Sequence, residues 1–232
     1  MGFMAPLHRR HFLLGSLAVG AWGLTPRADA AAPDCGLSVP TGAGPFYPGE
    51  ALRARSDLIL SGPAAGGEQP AGAAGDAGAV GAIIELSGVV RGPDCQPLAD
   101  AAVEIWQADA AGRYKHDRAG QQDALDPHFG YFGCVRSDAH GRYRFRTIVP
   151  KRYRFAGVLR APHIHFRVAH PGHGALITEM YFAGPEHDAA RARDRVFQGR
   201  AAAREQLIIA PSPAPSGVAA TPRYQFDLAL AG

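Results

Sequence analysis

Alternation of apolar and polar residues predicts a succession of β-strands along most of this chain. In Arg142–Ile148, arginines alternate with Tyr143 and Phe145, which is the period-two pattern of a strand with one buried face. Other predicted strands are Ile83–Arg91, Ala102–Ala108, Phe129–Val135, His163–Ala169, Leu176–Phe182, Gln206–Ile209 and Tyr224–Leu230, and Glu186–Phe197 is the one segment of any length predicted to be a helix. Short strands separated by turns containing Gly or Pro predict an all-β fold: an antiparallel β-sandwich with long loops and one short helix.

The N-terminal part of the chain has a different character. Arg9 and Arg10 precede an apolar stretch that ends near Leu24, and 28–30 reads Ala-Asp-Ala, an A-x-A cleavage site. The apolar stretch is shorter than the ~20 residues that span a bilayer. We therefore predict a twin-arginine signal peptide at residues 1–30, no stable membrane span, and export to the periplasm or the medium. A membrane anchor or a buried helix is the alternative for this segment.

Two further regions follow from composition. Residues 31–82 are predicted to be an irregular N-terminal segment that ends in a Gly/Ala-rich loop at 61–82, because that stretch has too few bulky side chains to order itself. Residues 83–232 are predicted to form the sandwich domain.

The formal net charge of +3 becomes +1 without residues 1–30, which hold three arginines and one aspartate. A nearly neutral mature chain has no global electrostatic reason to bind nucleic acid.

Three cysteines remain in the predicted mature chain: Cys35, Cys95 and Cys134. An oxidising compartment permits a disulfide and leaves one cysteine over. We favour Cys35 with Cys95, because Cys134 lies inside a predicted strand. None has the C-x-x-C spacing of a zinc or redox site, so cysteine ligation of a metal is not expected.

The sharpest local motif is Pro162-His163-Ile164-His165-Phe166. In a strand, residues i and i+2 project from the same face, so His163 and His165 present two imidazoles side by side while Ile164 points away. Two neutral imidazoles at this spacing can ligate one metal ion. Two strand histidines that merely share a face are the alternative.

Two tyrosines stand beside basic residues in predicted loops. Tyr114 lies in Gly112-Arg113-Tyr114-Lys115-His116, and Tyr153 follows Pro150-Lys151-Arg152 on the way to the histidine pair. From the residues alone, packing or hydrogen bonding is the more common role for such tyrosines than metal ligation.

The ordered series of motifs resembles the intradiol ring-cleavage dioxygenases, the family of protocatechuate 3,4-dioxygenase and catechol 1,2-dioxygenase. The matching segments, in family order, are Ala102–Ala108, Gly112–His116, Asp126–Gly130, Asp138–Pro150, Tyr153, Arg160–Phe166 and Leu176–Phe182, and the N-terminal pieces Thr41–Tyr47 and Arg55–Leu58 also resemble the family. The resemblance covers about two thirds of the predicted mature chain.

The resemblance implies a non-haem Fe(III) held by Tyr114, Tyr153, His163 and His165. It implies a catechol-type substrate that is cleaved with O2 to a cis,cis-muconate-type diacid, with Tyr153 as the ligand that the substrate displaces. Arg160 corresponds to the family arginine that stabilises charge on the substrate ring; an ordinary surface ion pair is the alternative. Family members often assemble, so a homo-oligomer is compatible with the resemblance.

The chain departs from the family pattern around the expected substrate pocket. Glu179, a predicted substrate-binding residue together with Arg160, stands where the family has glutamine, and a carboxylate there would oppose an anionic substrate unless it is protonated or paired with Arg160. Lys151, Arg152 and Arg154 would suit a carboxylated catechol, although a solvated basic loop is the plainer interpretation.

Two other functions remain open at this point. His163, His165 and Glu179 could form a two-histidine, one-carboxylate Fe(II) site. The chain could also be a non-catalytic secreted sandwich that binds a ligand or polymer, which predicts no stoichiometric iron.

Overall fold

A computed structural model of the chain describes residues 1–2, 35–48, 54–60, 78–119, 125–213 and 220–232. The fold belongs to a single compact unit that comprises residues 33–232. The predicted signal peptide, apart from Met1 and Gly2, and residues 61–77 of the predicted mobile loop lie outside the described residues, so both stay predictions. Among the helices of the described ranges, none has the length and apolar character that crossing a membrane requires.

Strands dominate the described part of the chain. They are β1 (Ile83–Arg91), β2 (Ala102–Gln107), β3 (Phe132–Arg136), β4 (Arg142–Ile148), β5 (Tyr153–Phe155), β6 (Val158–Arg160), β7 (His163–His170), β8 (Gly174–Phe182), β9 (Ile208–Ile209), β10 (Arg223–Gln225) and β11 (Leu228–Ala229). The helices are α1 (Pro185–Arg193) and α2 (Arg195–Gln198), with 3-10 turns at Asp117–Ala119 and Ala201–Leu207.

The strands form two main sheets and one hairpin. The larger sheet has the order β3-β2-β7-β8-β9, the smaller one centres on β1 with β4 on one side and β10 and β11 on the other, and β5 pairs with β6. The long ladders are antiparallel, while β9, β10 and β11 add short parallel pairs at the sheet edges. The fold class predicted from the alternation, an all-β sandwich, is confirmed.

One apolar core lies between the sheets. It combines the inward residues Ile164 and Phe166 of β7 with Leu86 of β1 and Phe145 of β4, all of which are fully buried. Burying one such side chain contributes roughly 1.5–3 kcal/mol. Because alternate residues of β7 face this core, the histidines between them project from the opposite face of the larger sheet.

Several predicted boundaries were wrong. The predicted helix Glu186–Phe197 is two helices, because Asp194 has extended backbone and its side chain caps α2 by accepting from the amides of Val196 and Phe197. The predicted strand Gln206–Ile209 is half the end of a 3-10 turn and half the two residues of β9, and Tyr224–Leu230 splits into β10 and β11. The hairpin β5–β6 was not predicted.

The cysteine prediction is confirmed. Cys35 and Cys95 form a disulfide with a Cα–Cα distance of 5.2 Å. Cys134 is a half-buried free thiol in β3, as its place in a strand suggested. The bond ties the N-terminal segment to the turn after β1.

Candidate active site

The two histidines of β7 meet at the outer face of the larger sheet. His163 and His165 are 2% and 0% exposed, and their Nε2 atoms lie 3.2 Å apart. The Nδ1 atom of His163 lies 2.6 Å from the carbonyl oxygen of Ala161. Nδ1–H therefore donates to that carbonyl, which leaves the Nε2 lone pair free to face the Nε2 atom of His165.

Strand register supplies the neighbours of this pair. His165 stands opposite Trp106 of β2 on one side and opposite Glu179 of β8 on the other, while His163 stands opposite Tyr181. The Trp106 indole stacks on the His165 imidazole with ring centroids 4.8 Å apart and planes inclined by only 2°. This stacking fixes the plane of the His165 ring.

Tyr114 is placed by a tight loop that Asp109 organises. The Asp109 carboxylate accepts from the amides of Ala111 and Arg113 at 2.8 and 2.9 Å and pairs with the Arg113 side chain at 3.1 Å. It also accepts from the Tyr131 hydroxyl at 3.0 Å. These bonds hold the turn that follows β2 in a single shape and direct Tyr114 beneath the outer surface, where it is 3% exposed.

Tyr153 is the first residue of β5 and follows a second loop, which contacts the first. The Lys151 amide donates to the Asp109 carbonyl at 3.1 Å. Gly112 has φ +85°, and a Cβ at this position would lie 2.7 Å from the Arg152 carbonyl oxygen and 3.3 Å from Cβ of Tyr153. Glycine is therefore required where the two tyrosine-bearing loops touch.

The four predicted metal ligands come together in one cluster. The ring centroids of Tyr114 and Tyr153 are 5.2 Å apart, that of Tyr153 lies 5.7 Å from His163, and that of Tyr114 lies 6.5 Å from His165. Both phenol oxygens are buried without a hydrogen-bond partner. Buried polar atoms in proteins are normally paired, so two orphaned hydroxyls beside two opposed imidazole lone pairs point to a missing binding partner.

The electrostatics of the cluster fit a cation as that partner. Burial raises the pKa of Tyr114 well above its usual range and, against the opposing charge of Arg160, raises the pKa of Tyr153 to about 12. Burial, with help from Arg160, lowers the pKa of His163 well below its usual range, and burial lowers that of His165 to about 4. Without a metal, all four groups are neutral at pH 7. A cation would take the imidazole lone pairs directly and would favour ionisation of the phenols.

Arg160, the predicted charge-stabilising residue, is a buried side chain rather than a surface ion-pair member. It is 6% exposed and lies opposite Tyr153 in the β5–β6 hairpin. Its Nε donates to Asp194 at 3.2 Å, and its Nη2 donates to both oxygens of Glu179 at 3.2 Å and to the Tyr181 hydroxyl at 2.8 Å. The guanidinium is thus held in one orientation.

Glu179 is paired with two arginines. Beside its contacts with Arg160 it accepts from Nη2 of Arg200 at 2.7 Å and from the Tyr181 hydroxyl at 2.7 Å. Burial opposes ionisation of this carboxyl, but the positive forms of His163 and His165, Arg160 and Arg200 lower its pKa to about 2. The carboxyl of Glu179 is therefore ionised at pH 7 and paired with two arginines.

Proximity alone would also allow the alternative set of ligands. His163, His165 and Glu179 place ligand atoms within 4.8 Å of one another. However, Glu179 faces Nδ1 of His165 at 3.5 Å, whereas the lone pair that faces His163 is on Nε2. Since both carboxylate oxygens already accept from arginine, this geometry favours the tyrosines over Glu179 as ligands.

A cavity of about 290 Å³ opens beside the cluster. Its polar wall consists of Tyr153, Arg160, Glu179 and Arg200, and its apolar wall of Pro45, Phe155, Ala156, Val158 and Val196, with Gly42 and Gly44. A Cβ at Gly44, which has φ +66°, would lie 3.2 Å from Cε1 of His165, so the N-terminal segment passes close to the Cε1–Nε2 edge of that ring.

Sequence reasoning missed three members of this site. Tyr181 could have been found, because it is two residues after Glu179 in the same strand and must share its face. Asp194 and Arg200 reach the site from the helical region after β8. Nothing local in the sequence distinguishes Arg200 from the other charged residues there, and the one local signal at Asp194, that of a helix N-cap, does not indicate a functional site.

Comparison with known proteins identifies the family of the chain. The Dioxygenase_C family model, described as "Dioxygenase", matches residues 64–232. The chain is 40% identical over 159 residues to the protocatechuate 3,4-dioxygenase beta chain of Burkholderia cepacia, covering 66% of each chain. It is 31% identical over 200 residues to the 6-chlorohydroxyquinol 1,2-dioxygenase of Cupriavidus pinatubonensis, covering 80% of this chain and 65% of the relative.

A solved structure gives the same picture of the fold. Catechol 1,2-dioxygenase from Acinetobacter sp. ADP1 superposes with a TM-score of 0.58 at 25% identity, covering 83% of this chain and 62% of that one. The chain thus spans about two thirds or less of the length of these relatives. With the family model matching most of the sequence, the chain belongs to the intradiol ring-cleavage dioxygenase family.

Proposed function

We propose that this protein is an Fe(III)-dependent intradiol dioxygenase that opens the ring of a catechol-type substrate with O2 to give a cis,cis-muconate-type diacid. Both oxygen atoms of O2 enter the product, so the reaction needs no external reductant. The observation that carries the proposal is the cluster of two unpartnered phenol oxygens and two opposed imidazole nitrogens, buried at the edge of a cavity.

The donor set is the reason to propose ferric iron. Tyr114, Tyr153, His163 and His165 would hold the ion, and the family uses non-haem iron. A hard trivalent cation favours anionic oxygen ligands, and its charge can displace the proton of a phenol whose pKa burial has raised. When bound, the ion would supply Lewis-acid and template chemistry.

The residues around the cavity have separate roles in this proposal. Arg160 is a fixed positive charge beside Tyr153, suited to stabilise negative charge that builds on the substrate ring. Tyr153 belongs to both the cluster and the cavity wall, so its phenolate form would be placed to accept a catechol proton. The apolar wall around Phe155 and Val158 would pack against the ring and exclude water.

The size of the cavity supports a small substrate. Small-molecule sites usually enclose roughly 300–1,000 Å³, and this cavity of about 290 Å³ lies just below that range. We therefore propose a single-ring catechol. Lys151, Arg152 and Arg154 are exposed and do not line the cavity, so they give no support for a carboxylated substrate.

Export is part of the proposal. The twin-arginine pair at Arg9 and Arg10 and the A-x-A site support it, and so does the Cys35–Cys95 disulfide, since disulfides persist in oxidising compartments. N-terminal sequencing of protein recovered from the periplasm or the medium tests the proposed export. Protein that stays in the cytoplasm with residues 1–30 still attached would contradict it.

The experiment that tests the function combines a spectrum with one substitution. The iron-loaded protein is expected to show a visible phenolate-to-iron charge-transfer band and to consume O2 when catechol is added. Tyr114→Phe removes one anionic ligand, so the band should shift or bleach and iron should be retained more weakly. Iron content, absorption and O2 uptake are the measurements.

Tyr224→Phe is the matched control, because Tyr224 is a buried tyrosine that packs against Phe182 at 5.1 Å and lies outside the cluster. It should keep the band of the parent protein. A nearly colourless iron protein with full activity would favour the Fe(II) site of His163, His165 and Glu179. Absence of stoichiometric iron would favour a non-catalytic binding protein.

A further inference from the structure

Glu179 lies on the side of the His165 ring that is turned away from the cluster. Among the acidic residues that the structure describes, it is the one whose carboxylate faces this ring. Its Oε1 is 3.5 Å from Nδ1 of His165, and the two residues are directly opposed in the β7–β8 ladder. Nδ1 of His165 is buried and has no hydrogen-bond partner, while Nδ1 of His163 has the Ala161 carbonyl. The Glu179 carboxylate is therefore the acceptor best placed for the Nδ1–H group of His165, which is buried and needs a partner.

The carboxylate is itself held by a rigid and charge-balanced frame. Arg160 and Arg200 both donate to it, and Asp194 pairs with the far side of Arg160. Two cations and two anions thus form one network in which every side chain is at most 14% exposed. Tyr181 donates a further hydrogen bond to Glu179. Such a network fixes both the position and the ionised state of the carboxylate.

The His165 ring is fixed in the same way. Trp106 covers one face of the ring by parallel stacking, and Gly44 passes close to its Cε1–Nε2 edge. The stacking fixes the plane of the ring, and within that plane Nδ1 is directed at Glu179 while Nε2 is directed at the cluster. A carboxylate that accepts from the second nitrogen of a ligating histidine makes that ligand more basic and orients it.

We propose that Glu179 is a positioning residue that acts on the bound metal through Nδ1 of His165, and that Arg200 is the counter-charge that allows a carboxylate in this place. The inference rests on the proposed function, because it takes His165 as a metal ligand. Where the family has a neutral glutamine, this chain has a carboxylate. Its negative charge is separated from the iron only by the His165 imidazole, and it makes the iron less electron-poor.

Three variants of the iron-loaded protein test this, each compared in band position, reduction potential and chelator competition. Glu179→Gln keeps the shape and the acceptor oxygen but removes the charge. Its charge-transfer band should move to lower energy, its potential should rise, and its affinity for iron should fall by roughly 10-fold, the lower end of the effect of such residues. Arg200→Gln leaves the carboxylate with less compensation, so band and potential should move the opposite way.

The double variant separates the route through His165 from a general change of charge. If Glu179 acts through Nδ1, Glu179→Gln with Arg200→Gln should keep most of the shifts of Glu179→Gln alone. A double variant with the parent band and potential would overturn that route. Unchanged spectra in Glu179→Gln, with lower thermal stability only, would reduce Glu179 to a structural residue. A parent protein without any charge-transfer band would instead refute the proposed function, and this inference with it.

Discussion

In the first half of β7, at residues 163–166, both faces of the strand are buried, and they have opposite chemistry. Ile164 and Phe166 on the inner face are 0% exposed and contact only the apolar core, whereas His163 and His165 on the outer face are 2% and 0% exposed and contact tyrosines, an indole and a charged network. Burial therefore does not distinguish core from site in this molecule. The hydrogen-bonding of the buried polar groups does, since the Tyr114 and Tyr153 hydroxyls and Nδ1 of His165 have no partner, whereas the inner face is apolar.

The largest expected effect comes from making the outer face resemble the inner one. His163→Leu removes a proposed ligand, and activity should fall by more than roughly 100-fold, beyond the range of residues that only orient ligands. The metal-free protein should keep its stability within about 1–2 kcal/mol, because an apolar residue replaces a buried polar one. O2 uptake and urea denaturation of the metal-free protein measure the two quantities. A variant that unfolds before iron is added would show that the outer face also carries the fold.

The converse substitution on the inner face should affect stability and spare the chemistry. Phe166→Ala leaves a cavity between the sheets, beside Tyr143 and Phe226, and should lower the free energy of unfolding by about 3–5 kcal/mol. The charge-transfer band per folded molecule should stay that of the parent protein. If the intensity of the band falls by more than the folded fraction of the protein falls, the packing of the core also positions the histidines.

The burial of each strand face decided how much of the structure could be predicted from the sequence. The alternation of β4 was predicted with its ends correct, since one face of this strand is buried and the other solvated. On β7 the same period placed His163 and His165 on one face, but both faces are buried there, and periodicity cannot identify which face binds a metal. The tyrosines were found only because ordered motifs resemble a family, since Tyr114 lies in a loop and Tyr153 in a strand of three residues, and neither gives a periodic signal.

Other parts were not predictable for physical reasons that differ from place to place. The hairpin β5–β6 has strands of three residues joined by Ala156 and Gly157, both with positive φ, which is too short for a periodic signal. Arg200 contacts Glu179 although 21 positions of the sequence separate them. The chain between them contains α1 and α2, and the break between these helices at Asp194 was not predicted. Asp before a short apolar run is a helix-capping pattern, so that break did leave a local signal.

The smallest expected effect tests how far the functional part of the outer face extends. Tyr47 donates to Glu104 at 2.8 Å and lies edge-on to Trp106, one residue pair away from the cluster on the same face of the sheet. Tyr47→Phe keeps the ring and loses one hydrogen bond, which should cost about 1 kcal/mol in urea denaturation, because Glu104 retains Arg167 at 2.9 Å. The iron band and O2 uptake should equal those of the parent, since this polar group is satisfied within the protein and leaves no atom for a ligand. A shifted band would place the boundary of the site beyond Trp106 and would show that satisfied polar groups on this face also tune the metal.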